Sequence, residues 1–108
     1  QALPPQPEPS EGALDPGEVS RLLSRGQAFL NQGDVSAARL ALQRVAEAGE
    51  PRAALALGAT YDPAILKRMG MVGIKPDVEK ARSWYERAAS LGSAEANQRL
   101  IALGQLGR

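Results

Sequence analysis

Few residues in this chain carry chemistry, and their spacing does not suit catalysis. Glu47 and Glu50 come nearest to a carboxylate pair, but a helix end is expected between them. Glu79 and Glu86 lie two helical turns apart with no partner base. The chain has no His, which removes the commonest general base and metal ligand, and no Cys, which excludes disulfides and thiolate metal sites. It also has no glycine loop of the phosphate-cradling type and no nucleophile motif. Arg39 and Arg44 recur as Arg82 and Arg87, which points to helix-surface pairing before anion binding. The expectation is a protein that is not an enzyme and takes no cofactor or metal.

The elements that carry these residues follow from composition and punctuation. With 108 residues there is room for one small domain. A first residue of Gln1 rather than Met is what a piece of a longer or processed chain would show. Abundant Ala and Leu with 4% aromatics favour stacked helices over a β-sandwich. No apolar run approaches the roughly 20 residues needed to span a bilayer, so no membrane segment is expected. The net charge of +1 hides an asymmetry. Residues 1–18 carry Glu8, Glu11, Asp15 and Glu18 with no Lys or Arg, so all 13 basic residues fall in the remainder. That basic part could favour an acidic partner or be ordinary surface composition.

Residues 1–16 hold five prolines and read as an acidic, extended or disordered linker. A polyproline recognition motif is the lesser alternative there. Asp15-Pro16 then places a capping Asp before a Pro at the first helical position, with Glu18 three residues after the cap. That helix is expected to reach about Asn31. Asp34 caps a second, Val35 to Ala48, ended by Gly49. Pro51 opens a third, reaching about Tyr61. An irregular stretch runs from Asp62 to Pro76, with a helical turn expected at Pro63 to Arg68. Asp77 caps the helix Val78 to Leu91, stopped by Gly92, and Ser93 caps a last one to about Leu103. No strand is expected, because Gly73 breaks the one β-like stretch, Met71 to Ile74.

The strongest signal is an internal repeat. An offset of 43 residues pairs Asp34-Val35 with Asp77-Val78, Ala38 with Ala81, Leu42 with Tyr85, Gly49 with Gly92, Ala53 with Ala96 and Leu57 with Leu100. An offset of 32 pairs Gly26 and Phe29 with Gly58 and Tyr61. The two offsets differ by the 11 residues inserted after Tyr61. Small residues at Gly26, Ala38, Gly58 and Ala81 would let antiparallel helices approach closely, with Phe29, Leu42, Tyr61 and Tyr85 filling the space between them. One unit cannot bury its own apolar faces, so units must stack. Trp84 and Tyr85 are read as packing residues rather than a ligand cage.

Ala54-Leu55-Ala56-Leu57-Gly58-Ala59-Thr60-Tyr61, followed by Asp77 to Ala96 with Lys80-Ala81, Trp84-Tyr85, Ala88-Ala89 and Gly92, resembles a Sel-one-like repeat. Leu22 to Gly49 resembles a tetratricopeptide repeat more loosely: Gly26, Phe29, Gly33-Asp34 and Ala38 are kept, while Leu42 and Val45 depart from the pattern. The resemblance covers about residues 20–100 and implies an all-α, right-handed α-α superhelix. Its parts would be two helix-turn-helix units, about 18–49 and 51–92, and a capping helix at about 93–104. It implies a non-catalytic adaptor for a protein or peptide; self-association is the alternative, and the lack of aromatic platforms and clustered Lys/Arg means no nucleic acid is expected. A proline-rich linker joined to such a terminal domain resembles the C-terminal part of larger bacterial proteins, so a cell-envelope setting is slightly favoured over the cytoplasm.

In repeats of this kind the first helix of each unit lines a concave face. Alignment places Ser20, Leu23, Gln27 and Asn31 there, then Arg52, Leu55 and Ala59, then Glu95, Gln98 and Ala102. The alternative is a plain solvated surface. The insertion is the second candidate. Ile65, Leu66, Met69 and Met71, with Val72 and Ile74, are too apolar for a free loop, and Lys67 and Arg68 stand among them. They either plug the second unit or expose a binding patch. If they plug it, deleting Leu66 to Val72 lowers the melting temperature.

Overall fold

The computed structural model describes residues 14–105, so most of the expected linker, residues 1–13, lies outside the described residues. The chain is all-helical there: α1 Pro16–Asn31, α2 Val35–Glu47, α3 Pro51–Ala59, α4 Pro63–Arg68, α5 Val78–Ser90 and α6 Ala94–Gln105. No strand occurs among the described residues. The boundaries expected from caps and terminators agree with these within two residues, because each signal does its local work. Asp15, Asp34 and Asp77 accept from the backbone N–H groups of Glu18, Ala37 and Lys80 at 2.9, 3.0 and 3.1 Å. Such caps are worth about 1 kcal/mol each, since they satisfy donors that the helix leaves unpaired.

Helix ends are closed the same way in both halves. At Gly49 and Gly92 the backbone turns to φ 97° and 109°, a region only glycine enters without strain. The next residues, Glu50 and Ser93, donate back to Val45 O at 3.3 Å and Ala88 O at 2.9 Å. Glu50 and Ser93 in turn accept from the first turns of α3 and α6. One residue thus ends one helix and starts the next, which keeps these connections short and the neighbouring helices packed side by side.

Packing runs through the chain in order: α1 against α2, α2 against α3, α3 against α5 and α5 against α6. The core is a continuous seam of small and branched residues: Val35, Ala38, Leu42, Val45 and Ala46 of α2, Ala53, Ala54 and Leu57 of α3, Ala81, Tyr85 and Ala88 of α5, and Ala96 and Leu103 of α6. Gly26 and Gly58 set the closest approaches. A Cβ on Gly26 would stand 2.7 Å from Leu42 Cδ2, and one on Gly58 would stand 2.6 Å from the Tyr85 ring. The pairs Gly26–Leu42 and Gly58–Tyr85 occupy the same positions in the two halves, as the offsets require. Trp84 is half-buried against the core, and Tyr85 is wholly buried. At the position corresponding to Gly58 in the 43-residue register, α6 carries Ile101, which is 65% exposed.

The insertion leaves this path and is pinned at its base, where Asp77 N donates to Tyr61 O at 2.9 Å. Leu66 on α4 is buried, and Met71 and Ile74 are half-buried against the core. Met69 and Val72 remain exposed. Leu66→Ala should therefore cost about 2–5 kcal/mol, the usual range for emptying a buried leucine site. The measurement is a fall in urea midpoint at unchanged slope. A midpoint equal to the parent's would mean that α4 does not pack.

Candidate functional site

The positions assigned to the concave face are spread over more than one hollow. Gln27 of α1, Arg52, Leu55 and Ala59 of α3, and Ile65 and Met69 of the insertion meet around a groove of about 270 Å³. Leu30, Ala56, Thr60 and Arg99 complete its lining. A second hollow, of about 430 Å³, is lined by Ile65 and Arg68 with Glu95, Gln98 and Ala102 of α6. Ile65 and Arg99 belong to both, so α4 stands as a partition between the face of α3 and the face of α6. Ser20 lies apart, in a shallow depression with Arg21, Ser24 and Arg25. Leu23 is half-buried against the core, and Asn31 is exposed, accepting from Gln27 Nε2 at 3.3 Å. Lys67, Leu66 and Met71 line a third hollow with Val72 and Ile74.

The groove has an apolar floor with two guanidinium groups and no carboxyl group in its lining. Both cations are held in place from outside it. Arg52 Nε pairs with Glu50 Oε1 at 2.9 Å, and that hydrogen bond holds the Glu50 carboxyl below the usual range. Arg99 pairs with Glu95 at 2.6 Å and lies over the Tyr85 ring, 5.9 Å from its centre. The Arg52 side chain is 71% exposed and keeps donors free for a ligand, whereas that of Arg99 is 24% exposed.

Beneath α4 lies a buried polar contact that the sequence reading does not single out. Tyr85 Oη donates to Asp62 Oδ2 at 2.7 Å, while Asp62 Oδ1 accepts from Ala64 N at 3.0 Å. Both residues are buried. Burial, reinforced by the Asp62 bond, raises the Tyr85 phenol above its ordinary value. Asp62 thus caps α4 and fastens it to α5 at once. Its signal was present: Asp62-Pro63 repeats the Asp15-Pro16 cap-and-proline pattern. Its tie to Tyr85, 23 residues away, is visible only in three dimensions.

The repeated arginines play different parts. Arg39 bonds the Thr60 side chain and carbonyl at the end of α3 and stacks on Tyr61, 3.9 Å from the ring centre. Arg87 reaches the last carbonyls of α2, Ala46 O and Glu47 O, both at 3.5 Å. Arg82 pairs with Glu79 on its own helix. Of these three, only Arg82 makes an ion pair on its own helix surface, while Arg39 and Arg87 tie one helix to another. Among the described residues no group of His, Cys, Asp or Glu could hold a metal ion.

Comparisons with protein-family models, with curated proteins and with solved structures find no match to this chain. The functional reading therefore rests on the groove itself.

Proposed function

We propose that the chain is a non-catalytic interaction module whose groove between α1, α3 and α4 takes an extended segment of a partner protein. The observation that carries this is the convergence of Gln27, Arg52, Leu55, Ala59, Ile65 and Met69 on one hollow. Three separate elements supply them. In this reading the helices form a right-handed superhelix of two unequal units and a capping helix, of the Sel-one-like and tetratricopeptide-like kind. Its concave side is the binding face. An apolar floor with guanidinium groups at its edge fits an apolar peptide bearing an acidic residue.

The test is selection of peptides on the 108-residue chain from a random display library, followed by calorimetry. Enriched peptides should be apolar and acidic. Arg52→Glu and Met69→Glu change exposed groups, so each should weaken binding at least about tenfold, a loss near 1.4 kcal/mol, while leaving the melting temperature nearly unchanged. Peptides that bind both variants as well as the parent would overturn the assignment of this groove.

Self-association is the second reading, favoured by exposed Leu40 at 77% and Ile101 at 65%. Light scattering decides it: a concentration-independent monomer mass removes it.

A further inference from the structure

Sulfur occurs in this chain at two positions, Met69 and Met71, since there is no Cys. A thioether within reach of solvent is open to oxidation to the sulfoxide, and no thiol here competes with it for an oxidant. The two methionines stand two residues apart in different surroundings. Met69 is 40% exposed and lines the groove between α1, α3 and α4. Met71 is half-buried against the core and lines a different hollow, with Leu66 and Ile74.

The backbone fixes that division. Met69 N donates to Ile65 O at 2.9 Å, so Met69 closes α4 one turn after Ile65, and both residues line the groove. At Gly70 the chain turns through φ 71°, and Met71 N donates back to Leu66 O at 3.0 Å. This reversal sends one methionine to the groove and the other to the core. An unbranched, polarizable thioether adapts to irregular apolar contacts, which suits Met69 to a partner's side chains. A segment laid in the groove would cover it; otherwise water and small oxidants reach it.

We propose that Met69 is a modification site through which hydrogen peroxide releases the partner segment from the groove. This rests on the groove being a peptide site. In the step, a lone pair of Met69 Sδ attacks one oxygen of hydrogen peroxide. The O–O bond breaks and an S–O bond forms. The second oxygen leaves as hydroxide, takes the proton of the first and becomes water. Sulfur gives up two electrons and the peroxide gains them. The side chain stays uncharged, so the effect acts through solvation. A sulfoxide oxygen is hydrated, and an apolar partner side chain laid over it strips that water without replacing its hydrogen bonds. Thiol-dependent reductases return the sulfoxide to the thioether, so the release is reversible. The protection is mutual, because a bound segment shields Sδ from peroxide.

The test treats the 108-residue chain with dilute hydrogen peroxide and follows both methionines by peptide mapping and mass spectrometry. Met69 should oxidise at least about fivefold faster than Met71. The chain oxidised at Met69 should bind a selected apolar, acidic peptide at least about tenfold more weakly, with its melting temperature nearly unchanged. Saturating peptide should slow oxidation at Met69 and leave the rate at Met71 as it was. Met69→Leu keeps an apolar side chain of similar volume, so it should bind equally well before and after peroxide. Met71→Leu should lose binding on treatment as the parent does. Three results overturn the inference and leave the groove a peptide site: Met71 oxidising as fast as Met69, undiminished binding by the Met69 sulfoxide, or equal weakening of peroxide-treated Met69→Leu. A parent chain that binds no peptide before treatment overturns the peptide site, and the role of Met69 with it.

Discussion

Gly58→Ala is expected to destabilise the fold by about 2–3 kcal/mol, although alanine is the better helix former by about 1 kcal/mol. The added Cβ would stand 2.6 Å from both Cδ1 and Cε1 of Tyr85 and 3.3 Å from Ala81 O. The ring cannot yield cheaply, since it is wholly buried and its hydroxyl is tied to Asp62. Moving it would force α3 and α5 apart or break that bond. Gly26→Ala meets the end of a flexible Leu42 side chain instead, at 2.7 and 2.8 Å, so it should cost less. Urea titration of both variants measures the difference. Equal stability of Gly58→Ala and the parent would show that α3 and α5 separate freely.

Tyr85→Phe should cost about 2 kcal/mol while removing a single oxygen. It leaves the Asp62 carboxyl buried without the phenol, and a buried acceptor that loses its partner is penalised for its lost hydration. Asp62→Ala should cost a similar amount, because it removes both the cap on α4 and the phenol's acceptor. The double variant should be less unstable than the two losses added, by about 1 kcal/mol or more, since each single change strands the other partner. Strict additivity would mean that the two groups do not depend on each other. The pH dependence has a defined sign. The Tyr85 phenol is raised above its unfolded value of about 10, so its contribution is intact below that pH and lost as pH climbs above it. Thermal melts above pH ~10 should show a falling midpoint whose slope is smaller in Tyr85→Phe.

The helices were legible because their signals are local. Asp15-Pro16, Asp34 and Asp77 each fix a helix start through their own next turn. The glycine–large-residue pairing was legible too, since the 43-residue and 32-residue offsets place Leu42 and Tyr85 opposite Gly26 and Gly58. What the sequence could not display was the course of the insertion. Ile65, Leu66 and Met69 look alike as letters, yet Leu66 is buried, Ile65 stands between two hollows, and Met69 is exposed. Which way each points depends on α4 being fastened by Asp62 to Tyr85. Ser20 and Leu23 fall outside the groove because, of α1, only Gln27 and Leu30 line it.

Ile101 bears on how an array of this type can lengthen. Gly26 and Gly58 each leave a notch into which a large residue of the next packed helix fits. In the same register Ile101 fills the notch with its own side chain. A helix appended after α6 would ride over that side chain rather than seat as α5 does on α3. Copying a unit onto this end, by gene duplication or by design, would therefore require Ile101→Gly first. Residue 101 sets how closely such a helix could approach α6.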